Sequence, residues 1–219
     1  MSSEERYLRQ RTMIVHDLFD RGDIRSQQVK EAMMSVPREH FVPLILKLEA
    51  YLDRPLPIGH GQTISAPHMV AIMADEMDAC PGQKVLEIGT GSGYHAAVVS
   101  RLVLPGGHVY TVERVRPLVK FAEGNLAKAG IDNVTVMEGD GSIGLPEHAP
   151  YDRIYYTCAA PDVPEKVIEQ LAEGGSILAV VGPRNGVQRL LRMKKAGGSM
   201  TTESLTHCVF VPLIGELGY

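Results

Sequence analysis

Val85-Leu86-Glu87-Ile88-Gly89-Thr90-Gly91-Ser92-Gly93-Tyr94 decides how this chain is read: an apolar run passes into a glycine-rich turn and then into a helical pattern from about Tyr94. Glycines at such a turn remove the side chains that would keep a ligand away from the main chain. A dinucleotide fingerprint, G-x-G-x-x-G, would place its third glycine at the position held by Tyr94. Here that glycine is displaced to Gly93, and the pyrophosphate reading weakens accordingly.

Outward from this stretch the chain alternates short apolar runs with helical patterns. The runs fall at Lys84–Ile88, 109–113, Val134–Glu138, 153–157 and 176–181. Such alternation predicts an open, mostly parallel α/β sheet. Upstream, residues 4–19 carry Leu8, Val15, Leu18 and Phe19 near helical spacing until Gly22 interrupts. Ser26 is placed to cap a second short helix, with Val29, Met33 and Val36 on one side, that Pro37 ends. Residues 43–61 read as turns punctuated by Pro55, Pro57, Gly59 and Gly61, and Pro67 opens a helix to about Met77. At the other end, residues 190–193 and 208–213 read as an antiparallel pair of strands around the turn-rich Gly197-Gly198.

A chain of 219 residues, 44% of them hydrophobic, supports one sizeable core. The expectation is a single domain over 1–219: helices and a substrate loop to 80, a cofactor-binding core over 81–182, and terminal strands over 183–219. A formal charge of −4 argues against a surface built to neutralise phosphates, so no nucleic-acid partner is expected. No apolar run approaches the roughly 20 residues that cross a bilayer, and the polar start is unlike a signal peptide. A cytoplasmic monomer with no membrane partner is expected. The cysteines, Cys80, Cys158 and Cys208, are widely spaced and form no C-x-x-C pair, and the histidines form no H-E-x-x-H. No metal is expected.

With Glu87 two positions before the first glycine, the pattern E-x-G-x-G-x-G resembles the first motif of class I methyltransferases, whose glycines admit the amino-acid portion of S-adenosylmethionine. Glu113 ends the next strand, a little over the about 20 residues downstream at which a ribose-binding carboxylate is expected. Gly139-Asp140-Gly141 follows the third strand at its carboxyl end, where Asp140 can accept from the adenine amino group. Each acid also has a plain structural reading, Glu113 as a solvated strand end and Asp140 as a turn residue. Their succession at consecutive strand ends favours the adenosyl cofactor.

The resemblance extends along nearly the whole chain to the protein-L-isoaspartate O-methyltransferases. It is carried by Val36-Pro37-Arg38-Glu39-His40-Phe41-Val42-Pro43, by Pro55-Leu56-Pro57-Ile58-Gly59, and by Gly61-Gln62-Thr63-Ile64-Ser65-Ala66-Pro67-His68-Met69. Ala159-Ala160-Pro161-Asp162-Val163-Pro164 and Val209-Phe210-Val211-Pro212-Leu213 continue it. The resemblance implies a Rossmann-like, doubly wound sheet with amino-terminal helices and an antiparallel carboxyl-terminal strand pair. It implies a protein-repair enzyme that methylates the free α-carboxylate of isoaspartyl residues in damaged proteins, the ester then closing to a succinimide whose hydrolysis returns some normal aspartate. It further implies that Ser65 orients the substrate carboxylate and that Gln62, Thr63, Ile64, His68 and Val211 contact the peptide. Ser92, Gly139 and Gly141 then join Glu87, Gly89, Gly91, Glu113 and Asp140 on the cofactor side. By local pattern alone, capping the Pro67 helix is the favoured reading of Ser65.

Two rivals differ in class. A tRNA or small-molecule methyltransferase would share the glycine motif, but Thr157-Cys158-Ala159-Ala160 stands where many amino methyltransferases carry Asn-Pro-Pro-aromatic. A noncatalytic adenosyl-cofactor-binding module would not need the intact segment from Thr63 to His68.

Overall fold

The computed structural model describes residues 2–219. Two helices lead, α1 (Ser3–Asp20) and α2 (Gln27–Ser35). Ser2 opens α1 with a capping box, its side chain accepting from the Glu5 N–H while the Glu5 carboxylate accepts from the Ser2 N–H; two otherwise orphan donors are thereby satisfied. Ser26 caps α2, its hydroxyl accepting from Val29 N at 3.2 Å. Val36 is extended (φ −99°, ψ 115°), as the ring of a following proline requires.

The punctuated stretch that follows holds more structure than its composition suggests. A 3₁₀ segment, Leu44–Glu49, precedes a small antiparallel ribbon of β1 (Leu56–Gly59) and β2 (Gln62–Ile64). His60 and Gly61 join the two strands with φ of 52° and 71°, and two central residues at positive φ match the twist of a hairpin. Histidine at such a position gives little sequence signal, which is why turns alone are legible there. The ribbon delivers the chain to α3 (Pro67–Met77).

The core is one sheet. Its first strands and helices are β3 (Lys84–Ile88), α4 (Tyr94–Leu102), β4 (His108–Glu113), α5 (Arg116–Lys128) and β5 (Val134–Glu138). They are followed by β6 (Tyr151–Ala160), α6 (Glu165–Ile168), β7 (Leu171–Val181), β8 (Gln188–Ala196) and β9 (Ser199–Cys208). The seven-stranded order is β5-β4-β3-β6-β7-β8-β9, with every pair from β5 to β7 parallel and the last two antiparallel. The chain steps outward from β3 to β5 and then returns to lay β6 on the other side of β3. Strand order therefore reverses at β3, and a crevice opens there at the carboxyl ends, where open α/β sheets bind ligands.

Alternation along β3 assigns its faces. Leu86 and Ile88 pack with Ile154, Tyr156 and Ile177, whereas Val85 packs with Tyr155 and with Met73, Met77, Ala96 and Val99 from α3 and α4. Burial on both faces explains why these strands read as near-continuous apolar runs.

The expected terminal pair is present, but its second strand is displaced from the sequence reading. β8 and β9 meet across Gly197-Gly198, with Ala196 opposite Ser199, so the strand is Ser199–Cys208 and not 208–213. β9 is a largely exposed edge rich in threonine, so it lacks the apolar run that draws the eye to Val209-Phe210-Val211. That run turns back to the carboxyl end of β6, where Ala159 N donates to Val211 O at 2.8 Å and Leu213 N donates to Ala159 O at 2.7 Å.

Candidate functional site

The carboxyl ends of β3, β4 and β6 open into a cleft with a cavity volume of about 80 Å³. Gly89, Gly91, Ser92, Glu113 and Gly141 line one side. Gln62, Thr63, Ile64, Ser65 and Val211 line the other. Residues separated by up to about 150 positions are thus brought to one place, because the ribbon and the carboxyl-terminal tail both fold over the switch point.

Close packing and special backbone angles explain the glycines. Gly89 has a φ of +100°, and a Cβ there would stand 2.6 Å from Thr157 Oγ1. The Thr157 hydroxyl donates to the Gly89 carbonyl. Gly93, at φ +84°, is the amino-terminal cap of α4, with Ala122 3.3 Å from where its Cβ would be. Gly141 packs under Ile88, whose Cγ2 would lie 2.9 Å from an added Cβ. Asn125 donates to the Ser92 carbonyl at 3.0 Å and ties the turn to α5.

Glu113 is 6% exposed and lines the cleft. One carboxylate oxygen accepts from Gly91 N and the other from Val115 N, each at 2.9 Å. A carboxylate has about four acceptor positions, so each oxygen keeps capacity for a further donor such as a ribose hydroxyl. Glu113 therefore fixes the glycine turn while still offering acceptors to a ligand.

Glu87 is placed differently from the expectation that it contacts the cofactor. It is wholly buried and does not line the cleft. The register sets Thr111 and Tyr155 beside it, and their hydroxyls donate to its two oxygens at 2.5 and 2.8 Å. Thr111 also bonds Thr90 at 2.6 Å, so Glu87 supports the glycine turn from within the sheet. The reason is periodicity: Glu87 shares a face with Val85, beneath α4, and not the strand tip.

Burial drives the Glu87 carboxyl up from 4.5 to about 8. Between those values the folded protein holds a proton that the unfolded chain has released, so stability is fully retained below the lower value and falls as pH rises through the upper one. Glu87→Gln, which mimics the protonated form, is expected to flatten the pH dependence of thermal unfolding between about pH 5 and 8, removing a decline on the order of a few kcal/mol. Melting curves across that range check this. An unchanged slope would assign the pH dependence to other groups.

The loop after β5 divides in two. Gly141 lines the cleft, but Gly139 and Asp140 do not. Both Asp140 oxygens accept main-chain donors, from Ser142 N at 2.9 Å and Glu216 N at 2.7 Å. Burial would raise the Asp140 carboxyl, and these bonds outweigh it to hold the group below its ordinary value. With Leu217 N donating to Ser142 Oγ at 3.0 Å, Asp140 fastens the tail that carries Val211 to the cleft.

On the other side of the cleft, the helix-cap alternative for Ser65 is not what the structure has. The cap of α3 is Ala66, which makes no side-chain capping bond, and Ser65 faces the cleft. His68 lies outside the cleft lining; its main-chain N and ring Nδ1 both meet Asp53 Oδ1 at 2.9 Å. Asp53 also accepts from Arg21 at 2.8 Å. Burial opposes ionisation of Asp53, yet the Arg21 and His68 bonds hold its carboxyl below the usual value. Asp53 was invisible in the sequence because its partners lie 32 and 15 residues away. Cys158 lines the cleft, but burial pushes its thiol up and leaves it a poor nucleophile. Among the described residues no group of three or more His, Cys, Asp or Glu is placed to hold a metal, and no helix is long and apolar enough to cross a membrane.

Comparison with known proteins places this geometry. Residues 9–218 match the family model described as protein-L-isoaspartate(D-aspartate) O-methyltransferase (PCMT). A protein-L-isoaspartate O-methyltransferase of Hyperthermus butylicus is 51% identical over 99% of this chain and 93% of its own length. One of Methanopyrus kandleri is 53% identical over 97% of this chain and 95% of its own. Among solved structures, one ascribed to a Plasmodium falciparum protein-L-isoaspartate O-methyltransferase in complex with S-adenosyl-L-homocysteine superposes with a TM-score of 0.83, at 27% identity, covering 93% of this chain and 98% of that one.

Proposed function

Because the chain belongs to the protein-L-isoaspartate(D-aspartate) O-methyltransferase family, we propose that the cleft at the β3 switch point is its active site, with Ser65 orienting the substrate carboxylate. The enzyme transfers the methyl group of S-adenosylmethionine to the free α-carboxylate of L-isoaspartyl residues. The observation that carries the site assignment is that Gln62, Thr63, Ile64 and Ser65 share one cleft with Gly89, Gly91, Ser92 and Glu113.

The residues present fit an adenosyl cofactor. The glycine turn lines the cleft with main chain, Glu113 retains acceptor capacity for ribose hydroxyls, and Gly141, closely packed under Ile88, adds a further stretch of bare main chain to the lining. Bound there, S-adenosylmethionine supplies an electrophilic methyl group. Glu87 and Asp140 act behind the surface, one supporting the turn and the other fastening the tail.

The acceptor needs little from the protein. A carboxylate with a pKa near ~4 is already ionised at neutral pH and requires no general base. Rate then comes from alignment of the attacking oxygen with the methyl group. The Ser65 hydroxyl can donate to the oxygen that does not attack, fixing the plane of the carboxylate. Gln62, Thr63 and Val211 border the same opening and would grip the peptide on either side of the damaged residue, while His68, held by Asp53, stiffens the start of α3. The acidic balance of the chain supports isoaspartyl proteins and peptides over nucleic acid or membrane as partners, and we place the enzyme in the cytoplasm as a monomer.

Ser65→Ala is expected to lower kcat on an isoaspartyl peptide roughly 10- to 100-fold, the value of one hydrogen bond to a charged group. S-adenosylmethionine affinity should stay within about twofold of its original value, because no cofactor-side residue changes. Initial rates and calorimetric titration test both. Undiminished turnover would remove Ser65 from the reaction.

A further inference from the structure

Arg38 is wholly buried, in the segment between α2 and the 3₁₀ turn. Removing a guanidinium from water costs several kcal/mol, and arginine stays charged when buried, so its position requires a reason. Its bonds go to main-chain carbonyls: Nε donates to Ala50 O and Nη2 to Ser65 O, both at 2.7 Å. Nη1 has no partner among the described residues. The guanidinium carbon lies 4.8 Å from the centroid of the Tyr94 ring, within the range of a cation–π contact.

Two of those contacts, to Ser65 and to Tyr94, are made to residues that line the cleft, while the third holds Ala50 at the end of the 3₁₀ segment. Tyr94 is the first residue of α4, directly after the glycine turn. One planar group therefore ties the Ser65 main chain to the head of α4. An apolar side chain of similar size could fill the volume at no greater cost, but it could not hold a carbonyl in a set direction. The guanidinium fork gives one donor to each of two carbonyls, Ala50 O and Ser65 O, and its planar geometry fixes the two directions relative to one another.

We infer that Arg38 is a positioning residue for methyl transfer, holding the Ser65 main chain against the Tyr94 end of α4 so that the serine hydroxyl meets the substrate carboxylate in a fixed direction. The inference rests on the role given above to Ser65. Its consequence is specific: the contribution of Arg38 to turnover passes through the Ser65 hydroxyl and disappears when that hydroxyl is absent. Misplacement of a reacting group by about 1 Å can cost about 10²-fold in rate, so even a conservative change should be visible.

The test is a double-mutant cycle on the full chain with an isoaspartyl peptide as acceptor. Arg38→Lys keeps the charge and loses the fork, and Arg38→Gln keeps one donor and loses the charge. Each is expected to lower kcat about tenfold or more in the original background and by less than about twofold in the Ser65→Ala background, with cofactor affinity preserved. A loss of equal size in both backgrounds overturns the inference, as does unchanged kcat. Loss of cofactor binding together with turnover in both variants would make Arg38 a residue of folding alone. Undiminished turnover in Ser65→Ala by itself would instead overturn the role of Ser65, so the two failures are distinguishable.

Discussion

Glu113→Ala is expected to weaken S-adenosylmethionine binding by at least about 100-fold. The carboxylate makes two kinds of contribution, and alanine removes both. It holds the glycine turn by accepting from Gly91 N and Val115 N, and as a residue of the cleft lining it keeps acceptor positions to which ribose hydroxyls would donate. Hydrogen bonds to a charged group are worth about 1.5–3 kcal/mol each, so losing two is about 3–6 kcal/mol, and each 1.4 kcal/mol is tenfold. Glu113→Gln should fall short of full rescue, because its amide nitrogen would confront a main-chain donor. Calorimetric titration with S-adenosylmethionine decides the matter; an affinity within threefold of the original would mean that the ribose is held elsewhere.

Gly89→Ala is expected to combine loss of cofactor binding with loss of stability. Alanine at a φ of +100° is strained, and its Cβ would stand 2.6 Å from Thr157 Oγ1. Left-handed backbone costs a non-glycine residue roughly 1–2 kcal/mol, and overpacking typically adds about 1–3 kcal/mol. For a chain of this size that is a fall in melting temperature of roughly 5–15 °C. The floor of the cleft must shift to relieve the contact, so cofactor affinity should drop by about tenfold to 100-fold. Thr157→Ala added to Gly89→Ala removes the atom that is struck and should restore part of the stability, leaving the cost of backbone strain. Gly130→Ala supplies the comparison, since Gly130 has a φ of +65° with nothing within 4 Å of an added Cβ. If Gly89→Ala cost no more than Gly130→Ala, the close approach to Thr157 would carry no weight.

The sheet was legible because its central strands are buried on both faces and its turns carry glycine and proline where the chain must bend. Val134–Glu138 and Lys84–Ile88 are apolar runs with clear ends, and Ser26 and Pro67 mark helix starts by local chemistry alone. β9 was misplaced because an exposed edge strand of threonine and glutamate satisfies its backbone without presenting an apolar pattern. The β1–β2 ribbon was missed because its turn sets His60 at positive φ, a position where glycine or asparagine is the usual signal.

The candidate site followed the same division. Gly89, Gly91, Ser92, Glu113 and the Gln62-to-Ser65 stretch come together in the cleft as the motifs suggest, because they sit at strand ends and on a short ribbon. Glu87 and Asp140 belong to the same motifs but lie outside the cleft lining. Strand periodicity turns Glu87 inward, and main-chain donors from the tail occupy Asp140. Arg38 and Asp53 could not be found by spacing, since each derives its role from partners brought near only by the complete fold.

The most direct measurement uses two synthetic peptides, identical but for one aspartyl linkage, normal or isoaspartyl, each incubated with the enzyme and methyl-labelled S-adenosylmethionine. Base-labile label is predicted on the isoaspartyl peptide alone, as expected of an ester formed on its free α-carboxylate. Label on both peptides, or on neither while the cofactor still binds, would contradict the account and assign the cleft to a different acceptor.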